Sequence, residues 1–235
     1  ISEQEEERKN LANTSLNYAE KAVALSKLGD APHYTAMSRW AAAFCTLFFT
    51  EKIESSLEYA KEMLQQGIVA NDNYLKGVAS YILAFVTDWA VSKEENPDKR
   101  KERCQEIIRY SEEAERYLAL VAQDSLIGET YFSYGQSYSS LAYESTSQSE
   151  KLAFSKKAVE VGRKGLEYAV RSGSPDAIGS ALHALSKTLH FYANLEPGTD
   201  DKVKLLKEAL GYREEYNKIV EKTFPSMYWV LGVGK

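Results

Sequence analysis

The segment S-L-N-Y-A-E-K-A-V-A-L, residues Ser15–Leu25, contains the motif that decides the fold, because its first five residues recur along the chain. Related pentads are S-L-E-Y-A, G-L-E-Y-A and A-L-G-Y-R, and a degenerate copy reads Y-S-E-E-A. The copies begin at residues 15, 56, 110, 165 and 209, which are 41, 54, 55 and 44 residues apart. Each copy lies in a charged stretch with helical periodicity, so the sequence predicts a repeated amphipathic helix.

More apolar segments alternate with these charged segments. Gly77, Gly128 and Gly179 are spaced 51 residues apart, and each stands near the start of an apolar segment. Two further apolar segments cover residues 34–49 and the end of the chain from Met227. We name the apolar helices A and the charged helices B. A single A–B pair cannot bury its apolar face alone, so the alternation predicts a stacked array.

Few residues in the chain break helices. There are only five prolines and thirteen glycines among 235 residues, fewer than the average of about 12% for the pair, and we find no strand pattern. Gly29, Gly67 and Gly173 follow B segments, where glycine accepts a left-handed conformation. The predicted helices are B at 3–28, A at 33–50, B at 52–66, A at 73–94, B at 98–122, A at 125–145, B at 148–172, A at 176–195, B at 200–222 and A from 226.

The A–B pair resembles a tetratricopeptide repeat (TPR). In that family the first helix carries large residues and one small residue at fixed places, and the chain matches these places with three sets: Tyr131, Tyr134, Gly135 and Tyr138; Leu182, Leu185, Ser186 and Leu189; Ser80, Leu83, Ala84 and Thr87. The spacings are longer than the family's period of about 34 residues, and glycine mostly replaces the proline that closes its second helix. A fold similar to the 14-3-3 proteins is the alternative, although no phosphate-binding constellation matches.

The resemblance implies an all-α fold of about nine to ten helices, in which antiparallel hairpins stack into a right-handed TPR-like superhelix, an α-solenoid. No break in the chain looks like a linker, so we expect residues 1–235 to form a single TPR-like helical-repeat domain. The array opens on a B helix and stops inside an A helix, whereas a solenoid needs polar caps. We therefore expect the chain to be a fragment of a longer protein.

Charge and composition exclude some partners. The 29 basic and 34 acidic residues leave a net charge of −5, which disfavours nucleic acid. The longest apolar run, residues 40–49, is too short to span a bilayer, so no membrane insertion is expected. Cys45 and Cys104 do not make a disulfide framework, and we expect buried thiols and a cytoplasmic protein.

The TPR resemblance also implies a concave groove, lined by A-helix residues that lie off the hairpin-packing stripe. We expect Tyr131, Tyr134 and Tyr138 to pack within the hairpin instead. The groove residues could also be solvated or packed between repeats, and the two interpretations stay open. Carried over to this sequence, the groove places are Tyr81, Phe85, Asp88 and Trp89; Glu129, Phe132, Gln136 and Ser140; His183, Lys187, His190 and Phe191.

The sequence contains no pattern that indicates catalysis. We find no nucleophile–base pair, metal cluster or cofactor loop, so catalytic residues, cofactors and metals are predicted to be absent. His183 and His190, with Lys187 between them, suit an anion better than a metal. The first hypothesis is a protein- or peptide-binding scaffold whose partner is another protein or a peptide segment. The alternative is a ligand- or peptide-sensing regulatory domain of a larger signalling or transcription-regulating protein. Apolar terminal helices would also allow a homo-oligomer.

Overall fold

The computed structural model describes residues 3–28, 32–50 and 52–223, and the regular structure in these ranges is helical throughout. Within these ranges no helix is apolar over a length that would cross a bilayer. The nine helices of the described ranges are α1 (Glu3–Leu28), α2 (Pro32–Thr50), α3 (Ile53–Val69), α4 (Asn73–Lys93), α5 (Pro97–Ala119), α6 (Asp124–Glu144), α7 (Gln148–Ser172), α8 (Pro175–Leu195) and α9 (Thr199–Thr223).

The all-α prediction is confirmed, and so is the alternation of A and B helices. The odd-numbered helices are the charged B helices, and the even-numbered ones are the apolar A helices. The observed ends agree closely with the predicted ones, because proline, glycine and short polar residues flank the helices. Pro97 and Pro175, for example, occupy the first turns of α5 and α8, where a missing N–H costs nothing. The A helix predicted from residue 226 lies outside the described residues.

The helices pack in chain order. Each helix contacts the next one, and the A helices also contact one another in the series α2, α4, α6 and α8. In the described part of the chain, the B helices lie further apart and touch through long side chains, as where Tyr168 and Lys164 on α7 reach Glu115 on α5. The A helices therefore form a continuous layer, against which the B helices are seated. This nearest-neighbour arrangement is typical of a helical stack, while the right-handed superhelix and the single domain stay predictions.

Small residues of the repeated motif allow the closest approach between an A helix and its B helix. A Cβ atom at Gly165 would lie 2.5 Å from the Cβ of Tyr131, and one at Gly128 would lie 3.1 Å from the Cα of Ala169. Ala169 is fully buried, as is Ala114, and both occupy the last place of the pentad. The last place of the pentad is therefore a small, buried residue on α1, α3, α5 and α7.

Two of the three signature tyrosines of α6 contact α7 within the hairpin, as predicted: Tyr131 meets Tyr168, and Tyr138 meets Phe154. Tyr131 and Tyr134 are buried, and their hydroxyl groups donate hydrogen bonds to Glu115 at 2.6 Å and Glu112 at 2.9 Å on α5. Successive rings lie 5.7, 5.4, 5.6 and 6.4 Å apart between centroids, a spacing typical of favourable aromatic pairs. The ladder consists of Tyr168, Tyr131, Tyr134, Tyr138 and Phe154.

The predicted helix-ending glycines have different outcomes. Gly173 ends α7 in a left-handed conformation with φ of 67°, which confirms that prediction. Gly67 does not end its helix, so that prediction is wrong: it is buried inside α3, and a Cβ there would lie 2.8 Å from the backbone nitrogen of Lys76. Close passage of α4 is the physical reason for this glycine. Asn71 is the left-handed residue after α3, with φ of 49°, and Gly29 lies outside the described residues.

Two glycine substitutions test this packing. Gly165→Ala should lower the free energy of unfolding by about 1–3 kcal/mol, because the new methyl group collides with Tyr131. Gly211→Ala is the matched control: Gly211 lies inside α9, and a Cβ atom added there would have no neighbour within 4 Å. This control should raise stability by about 0.5–1 kcal/mol, since alanine favours the helix. Urea unfolding followed by circular dichroism measures both, and equal effects would contradict the close approach of α6 and α7.

Candidate functional site

The structure distributes the predicted groove residues among different surroundings. Five of them line a cleft between α4 and α6, and two line a second cleft between α8 and α9. Four others make specific contacts with other side chains, and Phe191 is half-buried on α8 outside both clefts. The first three groups are Asp88, Trp89, Phe132, Gln136 and Ser140; Lys187 and His190; Tyr81, Phe85, Glu129 and His183.

The cleft between α4 and α6, here called the α4–α6 cleft, is an open depression of about 370 Å³. Phe132, Gln136 and Ser140 are four residues apart, so they share one edge of α6. The opposite edge belongs to α4 and brings an aromatic ring, an apolar side chain, a hydroxyl group and a carboxylate. The complete lining is Asp88, Trp89, Val91, Ser92, Phe132, Gln136 and Ser140.

Asp88 is the unusual residue of this cleft. Its carboxylate accepts one hydrogen bond, from Ser133 Oγ at 3.4 Å, and no salt bridge joins it to a cation in the described ranges. Burial raises the pKa of Asp88 to about 7, while the Ser133 hydrogen bond and the charge of Lys187 on α8 oppose the rise. Near neutral pH this carboxylate is therefore divided between its protonated and ionised forms.

The thiol of Cys104 on α5 lies beside this carboxylate. Cys104 is buried, as the sequence predicted, and burial together with the charge of Asp88 raises the pKa of its thiol to about 12. A hydrogen bond with Ser140 opposes this rise only in part. A thiol that stays protonated is a poor nucleophile, so this cysteine contributes a neutral neighbour rather than a reactive group.

Tyr81, Phe85 and Glu129 connect the A helices to one another. The hydroxyl group of Tyr81 on α4 donates to Glu129 Oε2 on α6 at 3.0 Å. Burial raises the pKa of Glu129, and the hydrogen bond from Tyr81 opposes it. The ring of Phe85 lies 5.7 Å from that of Phe44 on α2 and 6.3 Å from that of Tyr81. These contacts hold α2, α4 and α6 together, and a role in a groove stays a prediction for all three residues.

The second depression, here called the α8–α9 cleft, has a volume of about 490 Å³. Its lining combines apolar side chains with cationic and imidazole side chains. The lining is Ser186, Lys187 and His190 on α8, with Leu206, Ala209, Leu210 and Arg213 on α9. Such a combination suits an anionic group carried on an apolar body.

Sequence reasoning missed Arg213, which lies on a B helix. Burial, together with the charges of Arg213 and Lys187, lowers the pKa of His183 to about 4. The neutral imidazole of His183 therefore accepts a hydrogen bond at Nδ1 from the Arg213 guanidinium, 2.7 Å away, and its ring lies 4.9 Å from that of Tyr216. One signal was present: Arg213 stands where most copies of the pentad have alanine.

In the part of the chain that the structure describes, no group of three or more His, Cys, Asp or Glu side chains is placed to hold a metal ion. His183 is half-buried against Arg213, whereas His190 is exposed at the α8–α9 cleft. The two histidines therefore stand in different surroundings, and the structure does not bring them together as a ligand pair.

Comparison with known proteins does not assign this chain to a family. No protein-family model matches the chain, and no curated protein matches it. Among solved structures, the chain is similar to a protein described as "DHF58 filament", with a TM-score of 0.43 and 15% sequence identity. That likeness covers 92% of this chain and 99% of the other, and at this level it indicates neither a shared family nor a shared function.

The replacement Asp88→Asn tests the unusual carboxylate. The native pKa of about 7 lies above the unfolded value of about 3.9, so the folded state binds more protons between these pH values. The Asp88 carboxyl therefore contributes to the free energy of unfolding of the wild type at low pH, and this contribution is lost as the pH rises through 7. Asp88→Asn should unfold at a higher urea concentration than the wild type at pH 8, with a gain of about 1–3 kcal/mol, and the gain should vanish near pH 4.

Glu102→Gln is the control for this measurement, because Glu102 is exposed on α5. It should leave the pH profile of unfolding unchanged. A gain in Asp88→Asn that is equal at pH 4 and pH 8 would contradict the raised pKa of Asp88.

Proposed function

We propose that this chain is a protein- or peptide-binding scaffold without catalysis of its own, and that the α4–α6 cleft receives a segment of the partner. The observation that carries the proposal is the lining of this cleft. Phe132 and Trp89 supply aromatic area, while Gln136, Ser140 and Asp88 supply hydrogen-bonding groups at the same opening. Aromatic anchors with adjacent polar groups are typical of surfaces that bind protein segments.

The layered packing supports a partner longer than one cleft. Because successive A helices contact one another, their exposed edges follow each other along a single layer. Lys187 lines the α8–α9 cleft and is also close enough to Asp88 to affect its pKa, so the two clefts are neighbours. A segment bound at the α4–α6 cleft would therefore run toward a second depression of opposite charge.

The proposal includes a cytoplasmic setting. Cys104 is a free, buried thiol, and unpaired cysteines are typical of reducing compartments. Another protein or a peptide is the proposed partner, since the net charge of −5 does not suit nucleic acid.

The alternative proposal is a ligand- or peptide-sensing regulatory domain of a larger protein. The α8–α9 cleft favours it, because its volume of about 490 Å³ is within the size range of small-molecule sites and its lining combines apolar with cationic side chains. A sensor should be stabilised by a small anionic ligand in a thermal-shift screen, whereas a scaffold should respond only to peptides.

Peptides selected on the wild-type protein from a random display library test the scaffold proposal. Phe132→Ala should weaken binding of the selected peptides by at least about fivefold, since truncating a central aromatic anchor typically costs more than about 1 kcal/mol. Gln136→Ala should weaken them less. Dissociation constants are measured by fluorescence anisotropy with synthetic labelled peptides.

Tyr143→Ala is the matched control, because Tyr143 lies on the same helix, is 71% exposed and belongs to neither cleft. It should change affinity less than twofold. If the selection yields no binding peptide, or if every selected peptide binds Phe132→Ala as tightly as the wild type, the proposed site is wrong.

A further inference from the structure

We propose that Asp88 makes the α4–α6 cleft a receptor for a cation, namely the ammonium or guanidinium group of a lysine or arginine side chain in the partner. This inference rests on the proposed function, because it names the group that the partner inserts into the cleft. It is carried by the position of Asp88, a partly buried carboxylate with one long hydrogen bond, in an opening lined by Trp89 and Phe132.

Other carboxylates of the chain show how Asp88 differs. Glu115 accepts hydrogen bonds from Tyr131 at 2.6 Å and Tyr168 at 2.8 Å, and its Oε1 lies 2.6 Å from Lys164 Nζ. Burial raises the pKa of Glu115, but these three partners outweigh it and hold the pKa below its usual value. Asp88 has only the long hydrogen bond from Ser133. A buried carboxylate normally has a cation or several donors, so a partner of this kind is missing at Asp88.

The rest of the cleft supplies what a cationic side chain needs. Trp89 and Phe132 have aromatic faces, which attract ammonium and guanidinium groups. Asp88 cannot pair with every N–H group of such a cation. The Gln136 carbonyl and the hydroxyl groups of Ser92 and Ser140 can accept hydrogen bonds from the others. The methylene stem of a lysine or arginine side chain packs well on an apolar surface while its charged end stays in a polar environment. The opening of about 370 Å³ has room for such a side chain.

The chain's own cation does not fill this role. Lys187 lowers the pKa of Asp88 by its charge, but it is exposed and lines the neighbouring α8–α9 cleft. Cys104 on α5 is neutral, and Ser133 on α6 is uncharged. Arg100 on α5 acts on Cys104, but it forms a salt bridge with Glu144 on α6 at 2.9 Å. A cation in contact with Asp88 would therefore interact with it more strongly than Lys187 does, because Coulomb attraction falls with distance.

Binding of a cation at Asp88 has a proton signature. The ionised carboxylate binds the cation, and the bound cation favours ionisation. With a pKa of about 7 for free Asp88, binding at pH 7 should release about half a proton for each cation bound. The affinity for the cation should rise between pH 6 and pH 8. Well below pH 7, it should decrease by nearly a factor of ten for each pH unit.

The experiment pairs a change in the ligand with a change in the protein. One ligand is a selected peptide that contains lysine or arginine, and its match has norleucine at that position. On the wild type, norleucine should cost at least tenfold in affinity, whereas on Asp88→Asn the two peptides should differ less than twofold. Calorimetry at pH 7 in two buffers of different ionisation enthalpy should detect proton release with the wild type and none with Asp88→Asn.

A second arm distinguishes a peptide from a free small cation. N-acetyl-lysine methylamide and N-acetyl-arginine methylamide are titrated alone, with N-acetyl-norleucine methylamide as the control. Binding of the first two that is lost in Asp88→Asn supports the cation site, even if no peptide binds and the scaffold proposal fails. The inference is overturned if the selected peptides depend on Phe132 but bind equally well with norleucine, or if they are acidic. In both cases the scaffold proposal stands.

Discussion

The close approach of α6 to α7 is the contact on which the rest of this structure depends. It requires hydrogen in place of a methyl group at Gly128 and Gly165, because the backbone of Ala169 and the side chain of Tyr131 occupy that space. With the two helices held at this distance, the tyrosine ladder fills the hairpin and its hydroxyl groups reach α5. Another edge of the same helix, which carries Phe132, lines the cleft with α4.

Most of the fold could be predicted because its signals are local. Helix ends follow from proline, glycine and N-cap side chains. Gly173 is an example, because this glycine follows a charged segment and ends α7 in a left-handed conformation. Gly67 shows where local reasoning stops. Its surroundings in sequence resemble a helix end, yet α3 continues past it, and a Cβ atom at Gly67 would lie 2.8 Å from the backbone nitrogen of Lys76 on α4. A glycine can end a helix or allow a neighbouring helix to approach closely. The local sequence does not distinguish these two roles.

The candidate site was predictable to the extent that helix geometry decides it. Phe132, Gln136 and Ser140 follow from four-residue spacing on one helix, and the structure places them in one cleft with Trp89. Arg213 was missed because it belongs to a B helix, and only its departure from the alanine of the pentad marked it. The ionisation of Asp88 has no sequence signal at all. It depends on how far the packed helices bury the carboxylate and on which groups of α6 and α8, namely Ser133 and Lys187, lie near it.

These observations connect stability and recognition in a single residue. An ionised carboxylate that is enclosed and unpaired weakens the folded state, so the chain is more stable when Asp88 carries a proton. A bound cation would remove the same penalty without the proton. Proton and partner therefore compete for Asp88, and the free energy that the empty cleft costs at high pH becomes available to binding. The free-energy cost of ionising Asp88 is thus an argument for a ligand, since asparagine would serve a purely structural role better.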